Sequence, residues 1–227
     1  MTSGHATALG IAFAAAMMLC GTARAVPIGG VEFPQGAISF ADEVVSFTVG
    51  SGGVDPFFQT SSAALGLPDY DTGTQCGGSV CESVTLGSGG TIILKFTDNL
   101  LTGSDNSDLD LWIFEVGPDV EDTFVAISKD GITWHEVGKV FGAISGIDID
   151  AFGFGVDDQF AYVRLIDDPA EGQQTGPATG ADIDAVGAIS TVRVDPPPTG
   201  VPEPASLSLL AGALALGGLT RLRRRMC

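Results

Sequence analysis

The apolar residues of this chain fall in short runs rather than in long amphipathic stretches. Leu111-Trp112-Ile113-Phe114 is an unbroken run behind a polar, carboxylate-rich turn, Ser104–Asp110. Branched and aromatic residues in so short a run predict a strand buried on both faces. Two later segments, Gly146–Ala151 and Gly180–Ala185, each set an Asp-x-Asp pair among apolar residues. Strand alternation would send both carboxylates of a pair to one face. The three stretches read as neighbouring pieces of one β-sandwich.

The remaining pattern agrees. Val44–Val49 predicts a strand, and Asp55–Asp71 is irregular, because Gly66 and Pro68 bar a regular helix or a central strand. Ser83–Leu86 and Thr91–Phe96 flank four small residues, Gly87 to Gly90, and predict a hairpin. Thr123–Ser128 and Thr133–Val140, joined by Lys129-Asp130-Gly131, predict another. Phe160–Ile166 and Ile183–Val194 supply the last strands. No segment between Val26 and Val201 sustains a 3.6-residue apolar period. The expected fold is all-β, an antiparallel β-sandwich of jelly-roll type with about eight or nine strands.

Both ends depart from this pattern. Ala6–Cys20 is apolar and precedes Ala23-Arg24-Ala25, the layout of a signal peptide cleaved after residue 25. Residues 26–195 form the expected surface domain, and 196–204 form a proline-rich linker. Residues 205–227 combine an uncharged, mostly apolar stretch, Ala205–Leu219, with Arg221, Arg223, Arg224 and Arg225. As a helix the apolar stretch reaches roughly 22 Å, short of a hydrocarbon core of about 30 Å unless Thr220 and snorkelling arginines extend it. The arginines favour the cytoplasmic side, which would leave the domain outside.

Removing the ends sharpens the charge. Five basic residues then face 27 acidic ones. Such a surface repels nucleic acid and anionic lipid and suits multivalent cations, calcium above all, although acidity alone also keeps an exported protein soluble. Asp105-x-x-Asp108-x-Asp110 places oxygen ligands as part of a calcium loop does, without the glycine and terminal Glu of an EF-hand. The same carboxylates could instead accept backbone N–H bonds in tight turns. Cys76 and Cys81 bracket a glycine-rich loop, and in an oxidising compartment a local disulfide is their expected state.

Catalytic signatures are absent: the chain has no G-x-S-x-G elbow, H-E-x-x-H or P-loop. His135 is the domain's one histidine and sits in a predicted strand, where a structural role is expected. A glycoside hydrolase needs only two carboxylates, but 27 acids make any chosen pair uninformative. Trp112 is expected in the core, while Trp134 and Tyr70 are the candidates for a carbohydrate platform.

Pro202-Glu203-Pro204, the apolar stretch and the arginine cluster together resemble the PEP-CTERM sorting signal of Gram-negative bacteria. The resemblance implies recognition by an exosortase-type membrane protease, processing near the Pro-Glu-Pro motif, and delivery to the cell surface or extracellular matrix. A second resemblance rests on Ala64–Tyr70, Thr91–Asn99, Asp108–Gly117, Val125–Gly138, Tyr162–Asp168 and Gly180–Ser190, in that order. Together they look like exported bacterial cell-surface domains similar to galactose-binding-like, discoidin-like jelly rolls. This implies fold and location, not a defined ligand. The expected function is therefore surface or matrix binding and structure without catalysis. A carbohydrate-binding module for exopolysaccharide is the alternative, and a carboxylate-dependent glycoside hydrolase the third reading.

Overall fold

Short apolar runs separated by glycine and aspartate cannot build helices, and they pair into sheets instead. The computed structural model describes residues 26–70, 81–116 and 121–194. The signal peptide, Cys76, the Pro-Glu-Pro motif and the arginine tail lie outside these residues. Thirteen strands run through the described chain: β1 (Val26–Ile28), β2 (Val31–Phe33), β3 (Glu43–Thr48), β4 (Val84–Thr85), β5 (Thr91–Lys95), β6 (Asn99–Leu101), β7 (Leu111–Glu115), β8 (Thr123–Ser128), β9 (His135–Val140), β10 (Ile144–Ile147), β11 (Tyr162–Asp167), β12 (Asp182–Ala188) and β13 (Thr191–Arg193). The helical pieces among the described residues are short 3-10 turns, and none is long and apolar enough to cross a membrane.

Two main sheets make the sandwich. One has four strands in the order β10-β7-β12-β4, the other five in the order β3-β5-β11-β8-β9, and every ladder is antiparallel. The predicted central strand, β7, lies between β10 and β12, so the three stretches picked out by pattern are neighbours in one sheet. Alternation then fixes the core. Leu111, Ile113, Ile183 and Val186 from one sheet meet Leu94, Val125, Ile127, Val163 and Leu165 from the other, all buried.

The sheet's outer face is also dry where the β1–β2 hairpin covers it. Phe33, Phe40 and Phe114 pack there with ring centroids 4.6 to 6.1 Å apart, and Trp112 joins them. Gly187 lies beneath, where a Cβ would stand 2.8 Å from Phe33 and 2.9 Å from Phe40. A smaller clasp pairs β13 with β6. Thr191 is its node: its hydroxyl donates to Leu100 O at 2.9 Å and accepts from Asn99 Nδ2 at 2.8 Å, while Gln35 Nε2 donates to its carbonyl at 3.1 Å.

The Lys129–Gly131 hairpin is present as β8–β9. Asp130 Oδ1 accepts from Ile132 N and Thr133 N, both at 2.8 Å, and those bonds hold its carboxyl down at about 2. The other expected hairpin is not one. β4 pairs with β12, whereas β5 pairs with β3 and β11 in the opposite sheet. Gly87 to Gly90 crosses between the sheets, because Gly50 N seeks Leu86 O at 2.8 Å and a Cβ on Gly90 would lie 1.8 Å from that carbonyl. The stretch expected as one last strand is likewise two, β12 and β13.

Phe33 is fully buried, so Phe33→Ala should cost about 3–5 kcal/mol by urea denaturation. A loss below about 1 kcal/mol would show that the hairpin does not cover a true core.

Candidate functional site

The acidic turn before β7 is built around Asp110. Its backbone continues the sheet on both sides: its N donates to Ile147 O at 2.9 Å, and its carbonyl accepts from Ile189 N at 2.7 Å. Its side chain is buried in full, at 0 % exposure. Oδ2 accepts from Ile149 N at 2.9 Å, but Oδ1 is buried with no hydrogen-bond partner. Burial pushes the carboxyl above its ordinary value, against hydrogen bonding from Ser190, Ile149 and Ser104.

Two loops bring further carboxylates to it. Asp150 Oδ2 accepts from Ser104 N at 2.7 Å, and its Oδ1 accepts from Asp105 N at 3.0 Å. Asp105 has φ of +57°, a left-handed conformation that Asp tolerates, and its Oδ1 accepts from Val156 N at 3.1 Å. Asp148 Oδ1 takes Ala151 N at 3.3 Å. Carboxylate oxygens of Asp110, Asp148 and Asp150 thereby lie within 4.8 Å of one another.

The triad differs from the set the sequence suggested. Only Asp110 of Asp105, Asp108 and Asp110 belongs to it. Asp105 is exposed and ties the 104–105 turn to Val156, while Asp108 is exposed with its N held by Asn106 Oδ1 at 2.6 Å. Asp148 and Asp150 complete the group because β10 ends at Ile147 and a 3-10 turn starts at Asp150. They leave a turn, not a strand.

A second acidic group makes a useful contrast. Asp122, Asp168 and Glu171 also bring carboxylates within 4.8 Å. There Lys139 Nζ stands 2.6 Å from both Asp122 and Asp168, and those bonds raise its own basicity. An ammonium already neutralises that group. Among the described residues, no ion pair of Lys or Arg reaches Asp110, Asp148 or Asp150. Three carboxylates, one of them buried with an unpartnered oxygen, suit a hard divalent cation such as calcium. Magnesium's stricter octahedron and reluctance to dehydrate fit a partly buried carboxylate set less well.

The third acidic segment does something else. The β12 register slips between Ile183 and Ala185, so Asp184 sits on a bulge. Asp184 accepts from Asp69 N at 3.2 Å and Tyr70 N at 3.4 Å, docking the irregular 65–70 segment on the sheet. Burial pushes its carboxyl up to about 7, more than those bonds lower it. Asp182 accepts from the Thr85 hydroxyl.

The remaining sequence candidates have structural neighbours. His135 meets Phe154 and Phe160 edge-on at 5.0 and 6.2 Å. Trp112 packs with the outer phenylalanine cluster, as expected. Arg164 lies 4.6 Å over the Trp134 ring and 2.7 Å from Glu136. Cys81 is buried, while Cys76 lies outside the described residues, so the disulfide remains a proposal.

No family model matches the chain, and no curated protein matches it. Among solved structures it is similar to the C-terminal domain of a chitobiase from Bacteroides fragilis. The match covers 70% of this chain and 98% of that one, at 13% identity and a TM-score of 0.36. A likeness of that size carries no functional argument.

Asp184 yields a pH prediction. Its folded pKa lies above the unfolded value, so its contribution to stability is full below the unfolded pKa and is lost as pH rises through about 7. In chelator, the melting temperature should fall by a few degrees between pH 6 and 8, at roughly 2–4 °C per kcal/mol. Asp184→Asn should flatten that slope. An unchanged slope in the variant rules Asp184 out as its source.

Proposed function

We propose that this chain is an exported cell-surface or extracellular-matrix protein, a calcium-stabilised β-sandwich that acts by binding or structure rather than by catalysis. The buried, unpartnered oxygen of Asp110, a member of a three-carboxylate group that no Lys or Arg ion pair reaches among the described residues, carries the calcium part. A buried carboxylate oxygen without a partner costs free energy, and a divalent cation offsets that cost while relieving repulsion from Asp148 and Asp150. The surface part is supported by the acidic domain and by the tail's resemblance to a PEP-CTERM signal. On this reading an exosortase-type protease recognises Pro202-Glu203-Pro204, with Arg221, Arg223, Arg224 and Arg225 held at the cytoplasmic face until processing. The apolar stretch holds the chain in the membrane only until then.

One observation favours exopolysaccharide binding as a second reading. Tyr162 and Arg164 alternate with buried Val163 and Leu165, and so point outward from the five-stranded sheet. Lys95 lies 5.7 Å from the Tyr162 ring, and Arg164 covers Trp134. Aromatic rings flanked by hydrogen-bond donors are the groups sugar recognition needs. A glycan array compared with a Tyr162→Ala variant separates this reading from a purely structural role.

Calcium should raise the melting temperature by about 5–10 °C over chelator, from about 2.7 kcal/mol at 100-fold saturation and 2–4 °C per kcal/mol. Asp110→Asn and Asp150→Asn should each lower that gain, whereas Asp108→Asn should keep it in full. A gain that magnesium reproduces in full at equal ionic strength would mean general screening of the acidic surface.

Intact mass of the exported protein tests the sorting. The expected product begins near Val26, lacks the arginine tail and takes up no thiol label when denatured without reductant. A product that still ends at Cys227 refutes the exosortase step, and labelled Cys76 and Cys81 refute the disulfide.

A further inference from the structure

The opposite end of the same strand holds another carboxylate that the fold leaves without a partner. β7 ends at Glu115, whose Cα pairs with core Ile183, and the residue before it, Phe114, faces outward with Phe33 and Phe40. Glu115 therefore points into the sandwich, on the face of Leu111 and Ile113. It is 3 % exposed, and neither Oε1 nor Oε2 has a hydrogen-bond partner.

The chain returns from this end into β8, first through Glu121 and then Thr123. Both are buried, at 4 % and 1 % exposure. Thr123 shares the inward parity of Val125 and Ile127, and its Oγ1 is also buried without a partner. Glu121 accepts from Gln173 N at 3.4 Å. The charges acting on Glu115 are those of Glu121 and Asp182, both acidic. Burial first, and then those neighbours, push its carboxyl up to about 9, against weaker backbone hydrogen bonding from Asp182 and Glu121. Asp182 neighbours inward Ile183 along β12, so by alternation it belongs to the other face, with Thr85.

We propose that Glu115, Glu121 and Thr123 form a second divalent-cation site, of the calcium class, inside this end of the sandwich. The donors are all hard oxygens, as calcium requires. Two carboxylates balance one divalent ion, so the occupied site is neutral in a region where an unbalanced charge is costly. A bound proton would neutralise Glu115 alone and leave the Thr123 oxygen and the second Glu115 oxygen as they are.

Its residues are distinct from those of the Asp110 triad, so the two sites can be told apart by stoichiometry. The full chain, stripped with chelator, is titrated with calcium by calorimetry, and the bound ions are counted by native mass spectrometry. Two calcium ions are expected for the parent chain, one for Asp150→Asn, one for Glu115→Gln and none for the double variant. Thr123→Val, which keeps the shape, should weaken one site at least tenfold and leave the other unchanged; it decides the matter should Glu115→Gln fail to fold. If the parent binds a single ion that Asp150→Asn removes, Glu115 is neutralised by a proton and this proposal is wrong while the Asp110 site stands. If Asp150→Asn leaves both ions and Glu115→Gln removes one, the reverse holds.

Discussion

Negative charge in a dry place is the constraint on which this structure turns. A sandwich core excludes water, yet Asp110, Glu115, Asp167 and Asp184 are all buried. The sheets give each a different settlement. Asp167 is satisfied by amides, from Gly89 at 3.0 Å and Ala181 at 2.8 Å. Asp184 uses amides to dock a loop. Lys139 serves Asp122 and Asp168 at the surface. Asp110 and Glu115 receive too few donors for their oxygens. An acidic composition thus becomes structural information: most carboxylates face water, several replace missing turn bonds, and a few stay buried with oxygens unmatched by donors.

The fold was largely legible because its grammar is period two. Leu111–Phe114, Thr123–Ser128 and Tyr162–Ile166 alternate or run apolar where the ladders later place them. What escaped was pairing. Ser83–Leu86 and Thr91–Phe96 are separated by a glycine run that suits a tight turn and a sheet-to-sheet crossing equally well. Contacts from Gly50 and Ala181, far away in sequence, decide between them. Strands of two or three residues, such as β1, β2 and β6, are too short to show a period at all.

The candidate site was half legible for the same reason. Asp110 could be picked out from its place before an apolar strand, but its ligand partners come from a turn 38 and 40 residues later. Local spacing pointed to Asp105 and Asp108, which serve the loop's own geometry instead. Glu115 carried a signal that spacing missed: an acid closing a run of Leu, Trp, Ile and Phe with no polar partner beside it. The Asp184 bulge had none, since a register slip depends on the neighbouring strand.

The β13–β6 clasp gives the domain a mechanical direction. Any pull on the chain beyond Val194 loads this clasp first, from Val194 N on Asp98 O back to Thr191, where three hydrogen bonds tie β13 to β6 and to Gln35. Only after that fastening parts does the load pass to β12 and the inner sheet. A three-residue antiparallel clasp in series with the core acts as a fuse, yielding under tension while the sandwich and its acidic ends keep their shape.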